Sequence, residues 1–276
     1  MRRLRSPAAV LVVLALSVCG PASRAPGAGS EVVRVLVYNI HAGKDANGAD
    51  NLERVAEVIR SSGADVALLQ EVDRLTTRSG RVDQPATLAR LTKMRAAFGK
   101  TLDYQGGEYG IAILSRWPVL RDTLLALPVD PPQPRAGGSH EPRGALTAVA
   151  AHPAGELHLV DTHLDASAND RFRRQEATTL AALAAAILRS GATALVGGDL
   201  NTTPDGVVLP ILATAGLRDA WPECGVGAGP TYPSHTPVKR IDYLLLPPAL
   251  RCTAARVLES QASDHRAILF EVRRRN

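Results

Sequence analysis

The stretch Leu195-Val196-Gly197-Gly198-Asp199-Leu200-Asn201 joins a short apolar run to two polar side chains. Residues 193–197 have the composition of a buried strand, and Asp199 and Asn201 follow at its end. Residues two apart on an extended segment face the same side, so these two side chains are expected to point together. An acid beside a buried strand is unfavourable without partners, which predicts that Asp199 belongs to a polar cluster.

Other apolar runs of the chain are flanked by polar residues in the same way. In chain order these residues are Asn39, Glu71, His163, Asp242 and the neighbouring pair Asp264-His265. Because buried acids, amides and imidazoles need partners, we expect them to surround one shared site together with Asp199. The competing interpretation is that each is only a capping or turn residue, which holds for any one of them taken alone.

Other polar residues are assigned no role in this site. Asp73, Asp103 and Asp205 are interpreted as turn or surface residues. The remaining isolated histidines are interpreted as non-catalytic, since a lone histidine has many uses. They are His140, His152, His158 and His235.

Strand and helix patterns alternate from residue 31 onward. Residues 51–61 carry apolar side chains at helical spacing before Gly63, and residues 170–189 form a long Ala/Leu-rich helix. Residues 128–142 are rich in proline and are predicted to be an exposed loop. The predicted strands cover residues 32–38, 66–69, 110–114, 119–127, 145–151, 157–161, 193–197, 241–246, 254–258 and 267–272. Many strands, few helices and no internal linker indicate one α/β domain with packed sheets.

The candidate residues favour a hard divalent cation. Glu71, Asn39 and Asp264 offer oxygen ligands, which suit Mg²⁺ or Mn²⁺ better than zinc. The sequence contains no cysteine cluster and no His-Glu-x-x-His motif that would indicate a zinc site.

The remaining candidates suit an attack of water on phosphorus. Asp199 could orient and deprotonate a water, and His265, oriented by Asp242, suits proton transfer or charge stabilisation. Arg143 could bind an oxyanion through both arms of its guanidinium. With a divalent cation, these groups would hydrolyse a phosphate ester.

The first thirty residues have the pattern of a secretory signal. Residues 1–5 are basic, residues 8–18 form an apolar run interrupted only by Ser17, and small residues and prolines follow. We therefore divide the chain into a signal peptide with a short linker, residues 1–30, and a catalytic domain, residues 31–276. The apolar run is short for a membrane span, which leaves an uncleaved anchor and a lipoprotein modified at Cys19 as alternatives. Each version predicts a secreted or cell-envelope protein.

Composition and charge exclude several classes of protein. The chain has 276 residues, 45% of them hydrophobic and 21% charged, which argues against disordered, collagen-like and coiled-coil proteins. Residues 1–30 contain four arginines and no acid, so their removal lowers the formal net charge from +5 to +1. A near-neutral domain with few aromatic residues does not favour nucleic acid as the partner. The arginines at 171, 173 and 174 and those at 273–275 are interpreted as solvated surface, and the chain is expected to be a monomer.

Secretion would expose Cys224 and Cys252 to oxidising conditions. A disulfide between them is one outcome, and the sequence does not establish that their geometry allows it.

Eight fragments in a fixed order resemble the endonuclease/exonuclease/phosphatase superfamily, whose members share the DNase-I-like fold. They span nearly all of residues 32–273. The fragments are Tyr38-Asn39-Ile40-His41, Leu69-Gln70-Glu71-Val72-Asp73, residues 109–116, residues 142–146, Thr162-His163-Leu164-Asp165, residues 197–204, Ile241-Asp242-Tyr243 and Ser263-Asp264-His265-Arg266. The sequence departs from the family pattern at Ile111, where many members have asparagine.

The resemblance implies a four-layer sandwich, with two packed mixed β-sheets flanked by helices and a site at one open end. It implies that Glu71 is the principal metal ligand, with Asn39 and Asp264 nearby. It also implies catalytic roles for five residues: Asp199 positions the water, Asn201 and His265 stabilise the transition state, Asp242 orients His265, and His163 contacts the phosphate. Arg143 and Tyr109 are implied substrate contacts.

The substrate remains open among phosphate esters, because this fold hosts several specificities. The alternatives are a phosphodiesterase or phosphatase on a small ester, a nuclease on DNA or RNA, and a sphingomyelinase-like lipid phosphodiesterase. A catalytically silent secreted binding module is the non-enzymatic alternative, which the presence of all the expected site residues disfavours.

Overall fold

The computed structural model describes residues 32–131 and 141–275. Its strands are β1 (Val33–Asn39), β2 (Val66–Arg74), β3 (Arg95–Tyr104), β4 (Gly107–Ser115), β5 (Val119–Leu127), β6 (Arg143–His152), β7 (Gly155–His163), β8 (Ala194–Asp199), β9 (Arg218–Asp219), β10 (Asp242–Leu246), β11 (Leu250–Val257) and β12 (Ile268–Arg274). Its α-helices are α1 (Leu52–Ser62), α2 (Gln84–Thr92), α3 (Arg171–Arg189), α4 (Val208–Ala213) and α5 (Trp221–Cys224). The predicted signal segment, residues 1–30, lies outside the described residues, as does the middle of the predicted loop 128–142 and, with it, His140.

Two mixed sheets of six strands form the centre of the molecule. The first has the order β11-β12-β1-β2-β4-β3 and the second the order β5-β6-β7-β8-β10-β9. Each contains one parallel pair, β1 with β2 and β7 with β8, and the other pairings are antiparallel. Helix α1 connects the first parallel pair and helix α3 the second, as parallel neighbours require a crossover.

Three hydrophobic clusters separate four layers. The inner faces of the two sheets enclose one cluster, which includes Val37, Leu68, Leu146, Leu195 and Phe270. A second lies between the first sheet and the helices α1 and α2, and a third between the second sheet and the helices α3 and α4. The order helix, sheet, sheet, helix confirms the predicted DNase-I-like four-layer sandwich.

Local sequence signals account for the helix ends. Helix α1 ends at Gly63, which adopts a left-handed φ of 70° that glycine tolerates without strain. In α2 the Asp83 carboxylate accepts a hydrogen bond from the Ala86 amide, and Pro85 occupies the first turn. Helices α1 and α3 confirm the predicted helices, whereas α2, α4 and α5 were not predicted.

A glycine permits the close approach of β7 and β8 beside Asp199. Gly198 has a φ of 143°, and a Cβ there would lie 1.9 Å from the Thr162 carbonyl oxygen. A larger residue would push apart the two strands whose ends carry His163 and Asp199.

The two cysteines of the described chain form a disulfide. Cys224 at the end of α5 and Cys252 in β11 are joined, with their Cα atoms 5.6 Å apart. Within residues 32–131 and 141–275, no helix combines the length and apolarity needed to cross a bilayer.

Candidate active site

The candidate site lies at one end of the sandwich, where strand ends of both sheets meet. The parallel pairing of β7 with β8 places His163 opposite Asp199, and the antiparallel pairing of β10 with β8 places Asp242 opposite the same residue. In the first sheet, β1 ends at Asn39, which is paired with Gln70, the neighbour of Glu71 in β2. Chain direction and register therefore bring these polar residues together.

Asp242, His265 and Asp199 form a buried row. His265 Nδ1 lies 3.0 Å from Asp242 Oδ2, and His265 Nε2 lies 3.7 Å from Asp199 Oδ2. All three residues are at most 5% exposed. Burial by itself would lower the pKa of His265, but the Asp242 carboxylate, helped by Asp199 and Asp264, raises it to about 10. Burial raises the pKa of Asp199, and the negative charge of Asp242 raises it further.

Asn39 connects this row to Glu71. Its amide nitrogen donates to Glu71 Oε1 over 3.0 Å and to Asp199 Oδ2 over 3.1 Å, while its Oδ1 accepts from the His41 amide. Glu71 has a left-handed φ of 56°, uncommon for glutamate, at an irregularity in the pairing of β2 with β4. The irregular backbone turns the Glu71 side chain to the site, where it is half-buried.

Ser263 attaches Asp264 to the end of β1. The Ser263 hydroxyl donates to the Asn39 carbonyl oxygen over 2.8 Å and also lies 3.3 Å from Asp264 Oδ1. Asp264 Oδ1 is 3.8 Å from His41 Nδ1, and the Asp264 side chain is 30% exposed. Asp264 therefore lies at the solvent side of the cluster.

His163 and Arg143 form the opposite wall. Arg143 Nη1 is 3.0 Å from His163 Nδ1, and His163 Nε2 is 3.6 Å from Asp199 Oδ2. Burial lowers the pKa of His163, and the nearby charges of Arg143 and His265 lower it further. Burial and neighbouring cations therefore favour the neutral imidazole at His163, whereas the surrounding carboxylates favour the protonated form at His265.

Asn201 closes the site on the side of the second sheet. Its backbone amide donates to Asp199 Oδ1 over 2.9 Å, and its side-chain amide donates to the Leu164 carbonyl oxygen over 3.0 Å. Its φ of 48° lies in the left-handed region, which asparagine tolerates better than most residues.

Two groups of donors fit a divalent cation. Ligand atoms of Asp199, Asp242 and His265 all lie within 4.8 Å of one another and could bind a metal ion. The second group, Glu71 with Asp264, offers carboxylate oxygens at the solvent side, the donors that Mg²⁺ and Mn²⁺ prefer. In the first group Asp242 Oδ2 and His265 Nδ1 already bond each other.

Tyr109, an expected substrate contact, and Asp73 are both buried beside the site. Tyr109 is 5% exposed, and the guanidinium of Arg78 stacks on its ring at 5.3 Å. Burial raises the pKa of Tyr109, and the charge of Glu71 adds to this effect. Asp73 was interpreted as a turn or surface residue, which is wrong: it is fully buried in β2 and bonds both arms of Arg78 over 2.8 Å. The Asp73–Arg78 pair supports the wall that carries Tyr109.

None of the other excluded residues bonds a candidate site residue through its side chain within the described parts of the chain. Asp103 and Asp205 are exposed, as expected, and so is His235. His152 and His158 belong to the β6–β7 hairpin, at the opposite end of the sandwich from His163.

Sequence reasoning missed three residues in or below the site. The Tyr232 ring lies 4.8 Å from the His265 ring, centroid to centroid, and no motif distinguished this tyrosine. Gln70 and Asp161 meet below the site, where Gln70 Nε2 donates to Asp161 Oδ1 over 2.6 Å. In the sequence, Gln70 directly precedes Glu71, and Asp161 lies two residues before His163. These positions were the only sequence signal that the pair lies near the site.

The sequence also matches a known protein family. A sequence model of the Endonuclease/Exonuclease/phosphatase family matches residues 36–265, which include all the candidate site residues. The chain belongs to this family, whose members are divalent-metal-dependent phosphoric ester hydrolases.

Individual relatives are distant. The chain is 27% identical over 219 residues to the uncharacterized protein YbhP of Escherichia coli (strain K12), covering 76% of this chain and 82% of that protein. It is 25% identical over 183 residues to an inositol phosphosphingolipids phospholipase C of Schizosaccharomyces pombe, covering 62% of this chain. The match spans 41% of that longer protein's length.

Solved structures share the fold. An endonuclease/exonuclease/phosphatase from Beutenbergia cavernae superposes with a TM-score of 0.71 at 24% identity, covering 88% of this chain and 72% of that one. A mannosyl-6-phosphatase from Bacteroides thetaiotaomicron superposes with a TM-score of 0.72 at 16% identity, covering 87% of this chain and 99% of that one. At these identities the likeness concerns the fold alone.

Proposed function

We propose that the chain is a secreted or cell-envelope hydrolase of phosphate esters, in which water attacks phosphorus with the help of a divalent cation. One observation carries the proposal: Asp199 lies within 3.1 Å of Asn39, 3.6 Å of His163 and 3.7 Å of His265. These residues come from both sheets and from distant parts of the sequence.

Asp199 is the residue that orients the attacking water and accepts its proton. Burial raises the pKa of this carboxyl towards the working range of a general base. Its Oδ1 is held by the Asn201 amide, so the carboxylate has a fixed direction.

His265 and His163 act on the phosphate as two different groups. His265, protonated through its bond to Asp242, stabilises the negative charge that develops on phosphoryl oxygens, together with Asn201. His163, neutral and held by Arg143, contacts the phosphate from the other wall. Arg143 supplies a permanent positive charge for the same oxygens, and Tyr109 borders the substrate beside it.

Glu71, Asn39 and Asp264 would hold the cation, Mg²⁺ or Mn²⁺. We prefer this set to the buried group of Asp199, Asp242 and His265, because it leaves the Asp242–His265 bond intact and admits the water ligands that Mg²⁺ retains. The bound cation would supply charge neutralisation at a phosphoryl oxygen.

A small ester is the favoured substrate. A cavity of about 210 Å³ lies beside Arg143, lined by Leu127, Pro142, Phe172 and Glu176 among others. Its largely apolar wall fits a compact leaving group better than a nucleic-acid strand, which would require a basic groove and stacking aromatics. The candidates remain a phosphodiester and a phosphomonoester.

The second candidate substrate is a phosphosphingolipid. The similarity to the inositol phosphosphingolipids phospholipase C of Schizosaccharomyces pombe favours it, because the name of that relative denotes a phosphosphingolipid substrate. A nuclease and a catalytically silent binding module are the remaining alternatives, and the complete set of site residues argues against the second.

The disulfide supports the proposed location. Disulfides persist in extracellular and envelope compartments and are rare in reducing ones, so the Cys224–Cys252 bond agrees with export by residues 1–30.

The test is hydrolysis of bis-p-nitrophenyl phosphate with Mg²⁺ or Mn²⁺, repeated with EDTA. We expect p-nitrophenol release that EDTA abolishes and added metal restores. A folded protein without turnover under these conditions would support the silent binding module instead. Plasmid DNA, RNA, sphingomyelin and inositol phosphates, each with and without EDTA, then identify the substrate class.

A further inference from the structure

We infer that the end of the sandwich opposite the candidate active site is a docking surface for an anionic membrane. Strands β1, β7 and β8 begin at this end and β12 ends there. We call it the basic end and define it by Arg251, Arg273 and Arg274 together with His152. The inference does not depend on the proposed function, because the basic end and the catalytic cluster share no residue.

Carboxylates near the basic end are already paired. Asp65 bonds Arg116 over 2.8 Å, and Glu223 bonds both Arg218 and Arg275 over 3.0 and 2.7 Å. Glu156 similarly pairs with Arg121, and Glu271 pairs with Arg34. These acids therefore do not neutralise the arginines that define the surface.

The defining arginines have no such partner. Within the described residues, no carboxylate lies within salt-bridge distance of Arg251, Arg273 or Arg274. The Nε of Arg273 is also buried without a hydrogen-bond acceptor. Arg251 and Arg274 are exposed, so their guanidinium groups, which are always charged, can donate hydrogen bonds to an external anion.

The strand register places two of them directly opposite each other. Arg251 on β11 faces Arg273 on β12, and Leu250 faces Arg274. Like charges in directly opposite cross-strand positions are destabilising. An external anion bound between the two guanidinium groups would remove this repulsion. An acidic residue in the cross-strand position would have had the same effect within the fold.

A groove with both polar and apolar lining residues lies at the same end of the sandwich. It has a volume of about 460 Å³ and lies between strand ends of the two sheets. Its lining includes Val33, Leu157, Leu195, Leu250 and Val272. Arginines next to apolar side chains match a phospholipid, whose phosphate binds guanidinium groups and whose acyl carbons are apolar.

The course of the chain supports a membrane over other anions. The first described residue, Val32, enters the fold beside this groove, since Val33 lines it. A short stretch of chain separates Val32 from the apolar run at residues 8–18. A bilayer that held this run would therefore be tethered to the same end of the fold as the basic end.

The test measures binding of the full chain to phosphatidylcholine vesicles with and without phosphatidylglycerol. The test variant carries Arg251→Gln, Arg273→Gln and Arg274→Gln. The control variant carries Arg54→Gln, Arg174→Gln and Arg256→Gln, three exposed arginines elsewhere with the same total charge change. Both variants keep the N-terminal segment, so its own membrane affinity cancels in the comparison.

We expect the test variant to partition into the anionic vesicles about 100-fold less than the wild type, from the contribution of each basic residue near a charged surface. The control variant should bind like the wild type, and added salt should weaken wild-type binding. Unchanged melting temperature and bis-p-nitrophenyl phosphate hydrolysis in both variants would exclude misfolding as the cause.

Three results would overturn the inference. The first is equal vesicle binding by the test and control variants. The second is release of the wild type from vesicles by inorganic phosphate at low concentration, which would indicate a site for a small anion. The third is tighter binding of duplex DNA than of anionic vesicles through the same arginines, which would indicate a nucleic-acid surface.

Discussion

Asp199 and His265 lie in the same buried row, yet their environments shift their proton affinities for different reasons. Desolvation dominates at Asp199 and favours its neutral form, whereas the Asp242 partner outweighs desolvation at His265 and favours the imidazolium. Two groups a few ångströms apart are thereby prepared for different parts of one reaction.

Replacement of either residue should nearly abolish turnover. We expect Asp199→Ala and His265→Ala to lower kcat for bis-p-nitrophenyl phosphate by at least about 10³-fold, since each removes a proton-transfer or charge-stabilising group. His158→Ala serves as the matched control, because His158 is half-buried at the far end of β7. The mechanism would be contradicted if either site variant kept most of its activity and a normal melting temperature.

Glu71 should determine the metal requirement. Glu71→Gln keeps the shape and the hydrogen bond with Asn39 but removes the charge that a cation would meet. We expect the Mg²⁺ concentration for half-maximal activity to rise by about 10-fold or more. Asp103→Asn, at an exposed acid, is the control, and a metal titration identical to the wild type would remove Glu71 from the ligand set.

The strands β2 and β7 meet through a buried acid–amide pair below the active site. Gln70 Nε2 donates to Asp161 Oδ1, while Gln70 Oε1 and Asp161 Oδ2 are both buried without a partner. Burial raises the pKa of Asp161 well above its usual range. A single proton on Asp161 Oδ2 would satisfy both oxygens and complete a reciprocal pair between the two sheets.

This pair predicts how stability depends on pH. A raised folded-state pKa means that the stabilisation from neutral Asp161 is fully present below the unfolded pKa and is lost as the pH rises through the folded pKa. Asp161→Asn presents an amide that donates the same hydrogen bond without titrating. We expect its urea midpoint to match that of the wild type at acidic pH and to exceed it increasingly at alkaline pH.

The control for this prediction is Asp161→Leu. It leaves the Gln70 amide without an acceptor and should lower the free energy of unfolding by about 1–3 kcal/mol at every pH. Parallel pH profiles of the wild type and Asp161→Asn would show that Asp161 is ionised in the folded protein.

At the scale of the whole molecule, charge is divided between two ends. The catalytic cluster concentrates Glu71, Asp199, Asp242 and Asp264 at one end, and the unpaired arginines lie at the other. A formal net charge of +1 for residues 31–276 conceals this polarity, which favours one orientation on a charged surface.

The disulfide should contribute to the stability of the entire fold. Cys224 and Cys252 close a loop with a sequence separation of 28, which restricts the unfolded chain. We expect reduction to lower the free energy of unfolding by about 3–4 kcal/mol, measured by urea denaturation with and without dithiothreitol. A Cys224→Ala/Cys252→Ala variant should show the lower value under both conditions, and a wild type insensitive to reductant would contradict the prediction.

Sequence reasoning predicted secondary structure best where apolar residues recur at regular spacing. Helices α1 and α3 and the strands that end at Asn39 and Asp199 were recognisable from apolar periodicity. It missed α2 and β3, and it ended β2 near Leu69 although the strand continues to Arg74. In β3, buried and exposed residues do not alternate regularly, and β2 continues through the left-handed residue Glu71, so neither element has a regular pattern.

The amino-acid sequence by itself determined which residues are available for the chemistry, because acids, amides and histidines that follow apolar strands need partners wherever the chain places them. Tertiary structure alone decided which partner each one has. The Asp242–His265 bond, the Gln70–Asp161 pair, the Tyr232 contact and the facing arginines Arg251 and Arg273 all join residues whose proximity depends on sheet order and register. A one-residue change of register would reverse the face of each side chain, so no local pattern encodes these pairs.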